Sequence, residues 1–145
     1  MTLIFPLEIA DSTTLEQDAT ISLHENSLRV DLHGGPIPGV ELTDIAPNWL
    51  GFRRVVIDIE NPSEEPLNLA IIIGDFESSP APEDRFMTET TLVPGERRRL
   101  NFSRQEISAG PTARLMPMDK ISEIVLFRTW GEADTFLLHA IWLEK

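Results

Sequence analysis

The chain has 145 residues, 41% of them hydrophobic and 25% charged, which suits one globular domain spanning residues 1–145 with a sizeable core. A formal charge of −12 argues against nucleic acid or an anionic membrane held by bulk electrostatics. No apolar run approaches the ~20 residues that cross a bilayer, so no direct membrane insertion is expected, and the lack of cysteine excludes disulfide and thiolate chemistry.

The opening MTLIFPLEIADS has neither a basic leading region nor a small-residue cleavage site, so it does not read as a signal peptide, and a first strand is expected near residues 2–8. In ISLHENSLRVDLH, taking Asn26 and Ser27 as turn residues sets Leu23 opposite Val30 and Ile21 opposite Leu32 on one apolar face. His24 then faces Arg29, Ser22 faces Asp31 and Thr20 faces His33 on the other face, and a slip of one residue scrambles that separation. A further strand is expected over 38–44. The segment WLGFRRVVIDIENPSEEPLNLAIIIGD, residues 49–75, reads as two strands and a short link. Val55, Ile57 and Ile59 point one way, and Arg54, Val56, Asp58 and Glu60 the other. Leu67, Leu69, Ile71 and Ile73 face the core, with Asn68, Ala70, Ile72 and Gly74 opposite. Pro62 and Pro66 lack a backbone donor and bracket the link.

Strands are expected over 84–93 and 97–102, joined by a turn at VPGE, residues 93–96, with proline then glycine at its centre. The run SRQE at 103–106 has the form of a capping box, so a short helical turn follows Ser103. Two last strands fall over 122–129 and 134–143. Many short strands separated by turn signals predict an all-β, antiparallel sandwich.

Chemistry-bearing residues are sparse. Asp31 and His33 share a strand face and form half of a metal site, against the plainer reading of a solvated face; His24 and His139 lie on other rungs. No nucleophile elbow or similar signature accompanies the serines, and no spacing marks a pair of hydrolytic carboxylates, so no enzyme is expected. Glu8, Asp11, Asp75, Asp84 and Asp134 sit at strand ends or loops, where calcium ligands often lie, but no calcium-loop spacing links them and ordinary surface charge is the simpler reading. In ERRRL, Arg97 and Arg99 share one side while Arg98 joins Leu100 and Phe102 on the other, as solvated charge on an edge strand. Trp142 alternates with Phe136, Leu138 and Ala140 and belongs to the core. Trp49 and Trp130 enter or leave strands; either their rings cap the core, or they stay exposed to stack on a sugar, with Arg128 and Asp75 bonding hydroxyls if their strands are neighbours.

Taken in order, NSLRVDL, PGVEL, the 49–75 segment, EDRFMTETTLVPGERRRLNFSRQEI, RLMPMDKISEIVLFR and TFLLHAIWLE resemble a galactose-binding-like β-sandwich over nearly the whole chain. More narrowly, the chain is similar to the soluble domain C-terminal to VanZ-like membrane segments in some bacterial proteins, and to jelly-roll carbohydrate-binding modules. The shared features are a tryptophan-led strand at Trp49, the Asn61–Pro62 link, the Asp84–Arg85–Phe86 strand start and the Pro94–Gly95 turn. Many such modules carry an aspartate in the final strand near a structural calcium; here His139 and Ala140 stand there, so the resemblance implies no calcium of that kind and no other cofactor. It implies an excised domain or a free-standing relative, extracytoplasmic if derived from a membrane-anchored parent. The function it implies is a non-catalytic module for a carbohydrate or cell-surface glycan. Trp130 or Trp49 would stack on the sugar, and Arg128, Asp75 and Asp58 would bond hydroxyls, in a shallow groove on a sheet face or loop rim. The alternative is a protein-interaction domain whose sheet face packs on a partner through Ile72 and Val56.

Overall fold

The computed structural model describes residues 2–5, 14–17, 19–25, 27–35, 37–43, 45–79 and 81–145. Their strands are β1 (Thr2–Phe5), β2 (Thr14–Gln17), β3 (Ala19–His24), β4 (Ser27–Leu32), β5 (Gly39–Thr43), β6 (Arg54–Glu60), β7 (Leu67–Asp75), β8 (Phe86–Leu92), β9 (Arg97–Ser103), β10 (Ile121–Trp130) and β11 (Thr135–Glu144). They form two sheets in which every pairing is antiparallel. One runs β3-β4-β11-β6-β9, with β1 also paired to β11; the other runs β2-β5-β10-β7-β8. The protein is an all-β sandwich, as the strand and turn pattern predicts. Among the described residues no helix is long and apolar enough to cross a membrane.

The alternation expected in β6 and β7 is present. Val55, Ile57 and Ile59 meet Leu67, Leu69, Ile71 and Ile73 in the core, with Ile124, Leu126, Phe136, Leu138 and Ile141 from β10 and β11. Each such side chain, fully buried, contributes roughly 1.5–3 kcal/mol. The link between β6 and β7 is held by Asn61, buried beneath it. Its amide donates to the carbonyls of Glu65 (2.8 Å) and Leu92 (3.0 Å), and its Oδ1 accepts from the Ser63 N–H and hydroxyl. At the next turn Gly95 takes φ 79°, the value that the third position of a proline–glycine turn requires. The capping box forms as expected: Ser103 accepts from Glu106 N at 3.0 Å and opens α1 (Arg104–Ser108).

Three expectations need correction. The β3–β4 pairing sets Leu23 opposite Leu28, Ile21 opposite Val30 and Thr20 opposite Asp31, two residues away from the predicted register. A slip of two keeps every side chain on its face, so alternation could not separate the two; the link begins instead at Glu25, with φ 58°. Strand β2 was not expected, because TLEQ carries no run of alternating apolar residues. Strand β8 starts at Phe86, later than predicted, because Pro82–Asp84 forms a 3-10 turn. The predicted first strand is present over Thr2–Phe5, and residues 6–8 lie outside the described residues, as do Glu8, Asp11 and the turn position Asn26. In ERRRL the predicted sides hold, with Arg98 bonding Thr90 Oγ1 (2.9 Å) and the Thr91 carbonyl (3.0 Å), which ties β9 to β8 across the edge of the sandwich.

Candidate functional site

Pairing registers fix what the five-stranded sheet turns outward. Directly opposed residues share a face, so Glu41, Val125, Ile72 and Met87 form one outward row. Phe127, Ala70 and Glu89 form the next, Thr43, Glu123 and Gly74 lie toward one end, and Trp130, Asn68 and Thr91 lie at the other. A bulge between Arg128 and Trp130 keeps Trp130 on this outward side. Its indole is 71% exposed, while the Asn68 amide donates to the Trp130 carbonyl and accepts from Thr91 Oγ1 at 2.9 Å. At the far end Phe76, two residues beyond Gly74, is 72% exposed. It borders a cavity of about 450 Å³ shared with Thr43, Ile45 and Glu123.

Between these two aromatics sits a charged cluster. Arg85 bonds Glu123 at 3.1 Å, and both side chains are largely shielded from water. They lie over Gly74, where a Cβ would approach Glu123 Oε1 to 2.6 Å and Arg85 Cδ to 3.2 Å; the absent side chain is what lets the pair settle on the sheet. Glu41 joins them from β5. Burial, then the hydrogen bond and the charge of Glu123, push its carboxyl up to about 7 against the opposing Arg85 charge, so its protonated form is favoured far above the ordinary carboxylate range. The face therefore offers an exposed indole at one end and, toward the other, an exposed phenyl ring beside a group of hydrogen-bond donors and acceptors. Glu41, Glu123 and Phe76 were not singled out from the sequence, and Arg85 entered only as part of the Asp84–Arg85–Phe86 strand start, not as a site residue; the available signal was a lone carboxylate at an outward position in each of two largely apolar strands.

The five residues expected to bind ligand do not come together. Trp49 is a correction: its ring is 2% exposed and its Nε1 donates to the Ala46 carbonyl at 2.7 Å, so it closes the core and has no face to offer a sugar. Asp75 is opposite Ile121, seven β7 residues from the Trp130 partner Asn68 and so roughly 23 Å away along the strand. Its carboxylate is buried against Arg114 in a two-pronged pair of 2.9 and 3.2 Å. Asp58 belongs to the other sheet, where Arg97 holds it through two 3.0 Å bonds. Burial alone would raise both carboxyls, but the arginine bonds prevail and hold each below its ordinary range. Arg128 lies on the inward side, opposite Leu69, and its guanidinium bonds the carbonyls of Ala133 and His33. Of the five, only Trp130 stands open on a sheet face.

The metal expectations meet the same kind of answer. Asp31 pairs with Arg29 at 3.0 Å and His33 with Thr20 at 2.6 Å, so the half-site separates. Arg114 lies between Asp75 and Asp84, 2.9 and 2.8 Å from their oxygens, where a cation bridging those two carboxylates would sit. Among the described residues no three His, Asp or Glu side chains converge to hold a metal ion. On the six-stranded sheet Ser27 Oγ is 2.6 Å from His139 Nδ1, and His139 Nε2 is 2.8 Å from Glu60 Oε1. Hydrolases use such a relay beside a substrate pocket and an oxyanion hole. The cavities at Phe76, at Arg53 and at Glu132 are lined by none of the three residues, which here tie β4, β11 and β6 together.

No protein-family model matches the chain, and no curated protein matches it in sequence. Solved structures do. A family 11 carbohydrate-binding module from Clostridium thermocellum, in complex with a beta-1,3-1,4-mixed-linked tetrasaccharide, superposes with a TM-score of 0.69 at 13% identity, covering 99% of this chain and 94% of that one. The fold is that of the jelly-roll carbohydrate-binding modules. A family 29 module complexed with cellulohexaose gives 0.60 at 14% identity, over 99% and 89% of the two chains. An exo-beta-agarase gives 0.71 at 13% identity, covering all of this chain but 25% of the agarase, so the chain spans about a quarter of that enzyme's length. Both modules, unlike the agarase, are covered over nearly their whole length, and at these identities the likeness is one of fold.

Proposed function

We propose that the chain is a non-catalytic carbohydrate-binding module, one domain over residues 1–145, that takes its glycan on the outward face of the five-stranded sheet. The observation that carries the reading is Trp130, a large aromatic ring left 71% exposed on an outward face where Ile72 and Ala70 are buried, Val125 and Phe127 half-buried and Met87 38% exposed. An indole in that setting stacks on the apolar face of a sugar ring. Glu123, Arg85 and Glu41 accept and donate hydrogen bonds to hydroxyls toward the Phe76 end of the face, where Phe76 gives a second stacking surface. Arg128 acts on Trp130 indirectly, by holding the carbonyls next to the strand end. The fold shared with modules crystallised with a tetrasaccharide and with cellulohexaose supports a chain-like glycan. Affinity is expected to be weak, because a shallow, wet face holds a polar ligand through few surplus contacts. A parent protein anchored in a membrane would place the module outside the cytoplasm.

A protein-interaction face formed by Ile72 and Val56 together is not available, since Ile72 lies on the outward side of the five-stranded sheet and Val56 on that of the six-stranded sheet, and they are only 6% and 2% exposed; a protein platform would have to use one sheet face alone. A glycan array probed with the wild type, Trp130→Ala and Glu123→Gln separates the two. A specific signal lost in both variants supports the face as drawn. A signal that survives both moves the site elsewhere, and a blank at concentrations that catch millimolar binding favours the protein platform.

A further inference from the structure

Three of the chain's 12 basic residues, Arg53, Arg54 and Arg104, line one cavity of about 410 Å³ where β6 begins and β9 runs into α1. Asn101 and Ser103 add neutral polar groups to its wall. The cavity belongs to the opposite sheet from Trp130: Arg54 pairs with Ser103 on one side and Glu144 on the other. In a protein of net charge −12 this concentration of guanidinium groups works against the average field.

The charges there are not used up internally. Among the described residues no carboxylate pairs with the Arg53 guanidinium, while its backbone is fixed by its own N–H on the Glu144 carbonyl (2.7 Å) and by the Arg104 N–H on its carbonyl (2.8 Å). Arg54 Nε lies 3.7 Å from Glu144 Oε2, an ion pair too long for a hydrogen bond. Arg104 donates one nitrogen to the Leu50 carbonyl. Glu106, the acidic side chain in the wall, turns its Oε1 to the Ser103 N–H at 3.4 Å as half of the capping box. The contrast with Asp58 and Asp75, each gripped by an arginine at hydrogen-bond distance, is direct: among the described residues no carboxylate closes the forks of Arg53 and Arg104, and Glu144 meets Arg54 only at 3.7 Å.

We propose that this cavity binds a single oxyanion group carried by a ligand, a sulfate ester, phosphate ester or carboxylate, through Arg53 and Arg104 with Arg54 beside them. A planar guanidinium presents two parallel N–H donors to two oxygens of such a group, which a point charge cannot do. The site stands apart from the glycan face and does not depend on it.

The test is a titration of the whole chain with sodium sulfate, at ionic strength held constant with sodium chloride, followed through the arginine Nε–H resonances. Saturable shifts at Arg53, Arg54 and Arg104 are expected. Arg53→Gln should weaken binding by about tenfold and Arg53→Lys by less, since lysine keeps the charge and loses the fork. Glu144→Gln should tighten it roughly threefold by releasing Arg54, an effect that loss of packing would not produce. Trp130→Ala should leave it unchanged. Galactose 6-sulfate, glucose 6-phosphate and galacturonate as competitors tell the three sources of the anion apart. Shifts that follow chloride as readily as sulfate, or saturation unaltered by Arg53→Gln, would overturn the proposal. So would failure of all three competitors while sulfate itself saturates, because the site would then take only free anions.

Discussion

The six-stranded and five-stranded sheets turn outward two faces of similar alternation and dispose of their charges differently. On the first, Asp58 is clasped by Arg97, with Arg99 3.8 Å away, and Arg99 lies 5.3 Å from the centre of the Trp142 ring, so most of the face is closed on itself. On the second, two carboxyls share one arginine, and the exposed rings of Phe76 and Trp130 stand at either end. Paired charges mark where the sandwich is held together, and an unbalanced group marks where it remains available to something else. The Arg53 cavity, at one end of the first face, is the exception that carries its own test.

Substitutions can break or sharpen this contrast. The largest effect is expected from the most closed pair. Arg114→Met strands the buried Asp75 carboxylate and should cost about 2–3 kcal/mol, below the ~3–5 kcal/mol of a fully buried pair because the arginine partly meets water, read as a drop in the urea midpoint at unchanged slope. Next is Glu41→Gln on the open face. The folded protein favours the protonated Glu41 carboxyl, so its stabilising contribution is complete below the ordinary value of 4.5 and disappears as pH rises through about 7. Asp58 and Asp75 run the other way, losing their contribution only as pH falls below 3.8. Wild-type stability should therefore decline between pH 5 and pH 8. Glu41→Gln should gain about 1–2 kcal/mol at pH 8 and almost nothing at pH 5, the figure being reduced for solvent screening; thermal melts at the two pH values decide. A decline that persists in the variant would show that Glu41 is not its source. Asp58→Asn should cost about 1 kcal/mol, less than Arg114→Met because Arg97 and Arg99 remain solvated without their partner. Trp130→Ala should change stability by no more than ~0.5 kcal/mol while abolishing glycan binding; a large loss of stability would make Trp130 a core residue after all.

Much of the fold was legible because alternation carries it. The faces of β6 and β7, the proline–glycine turn and the capping box are short-range features, fixed by residues a few positions apart. The β3–β4 register was legible only modulo two, since the period of a strand is two and the choice between even shifts falls to the turn at Glu25. The extra residues at Thr129 and His139, which break the ladders of β10 and β11, leave no mark in the pattern. The site was less legible than the fold for a related reason. Trp49 and Trp130 look alike in sequence, each at a strand end, and their fates differ by what other segments lay over them. Asp58 and Asp75 looked available because each partner, Arg97 and Arg114, is 39 residues downstream. Glu41 and Glu123 became a pair only once β5 and β10 were known to be neighbours.

Arg114 has a consequence for the conditions under which the segment between β7 and β8 keeps its shape. A loop clipped by a dissolved ion is only as well formed as the supply of that ion allows, and dilution or sequestration loosens it. A guanidinium attached to the backbone is a counterion at fixed local concentration, delivered once per chain at synthesis. Between Asp75 and Asp84 its hold needs no supply of metal ion, and acid loosens it only when strong enough to protonate carboxyls already held below their usual range.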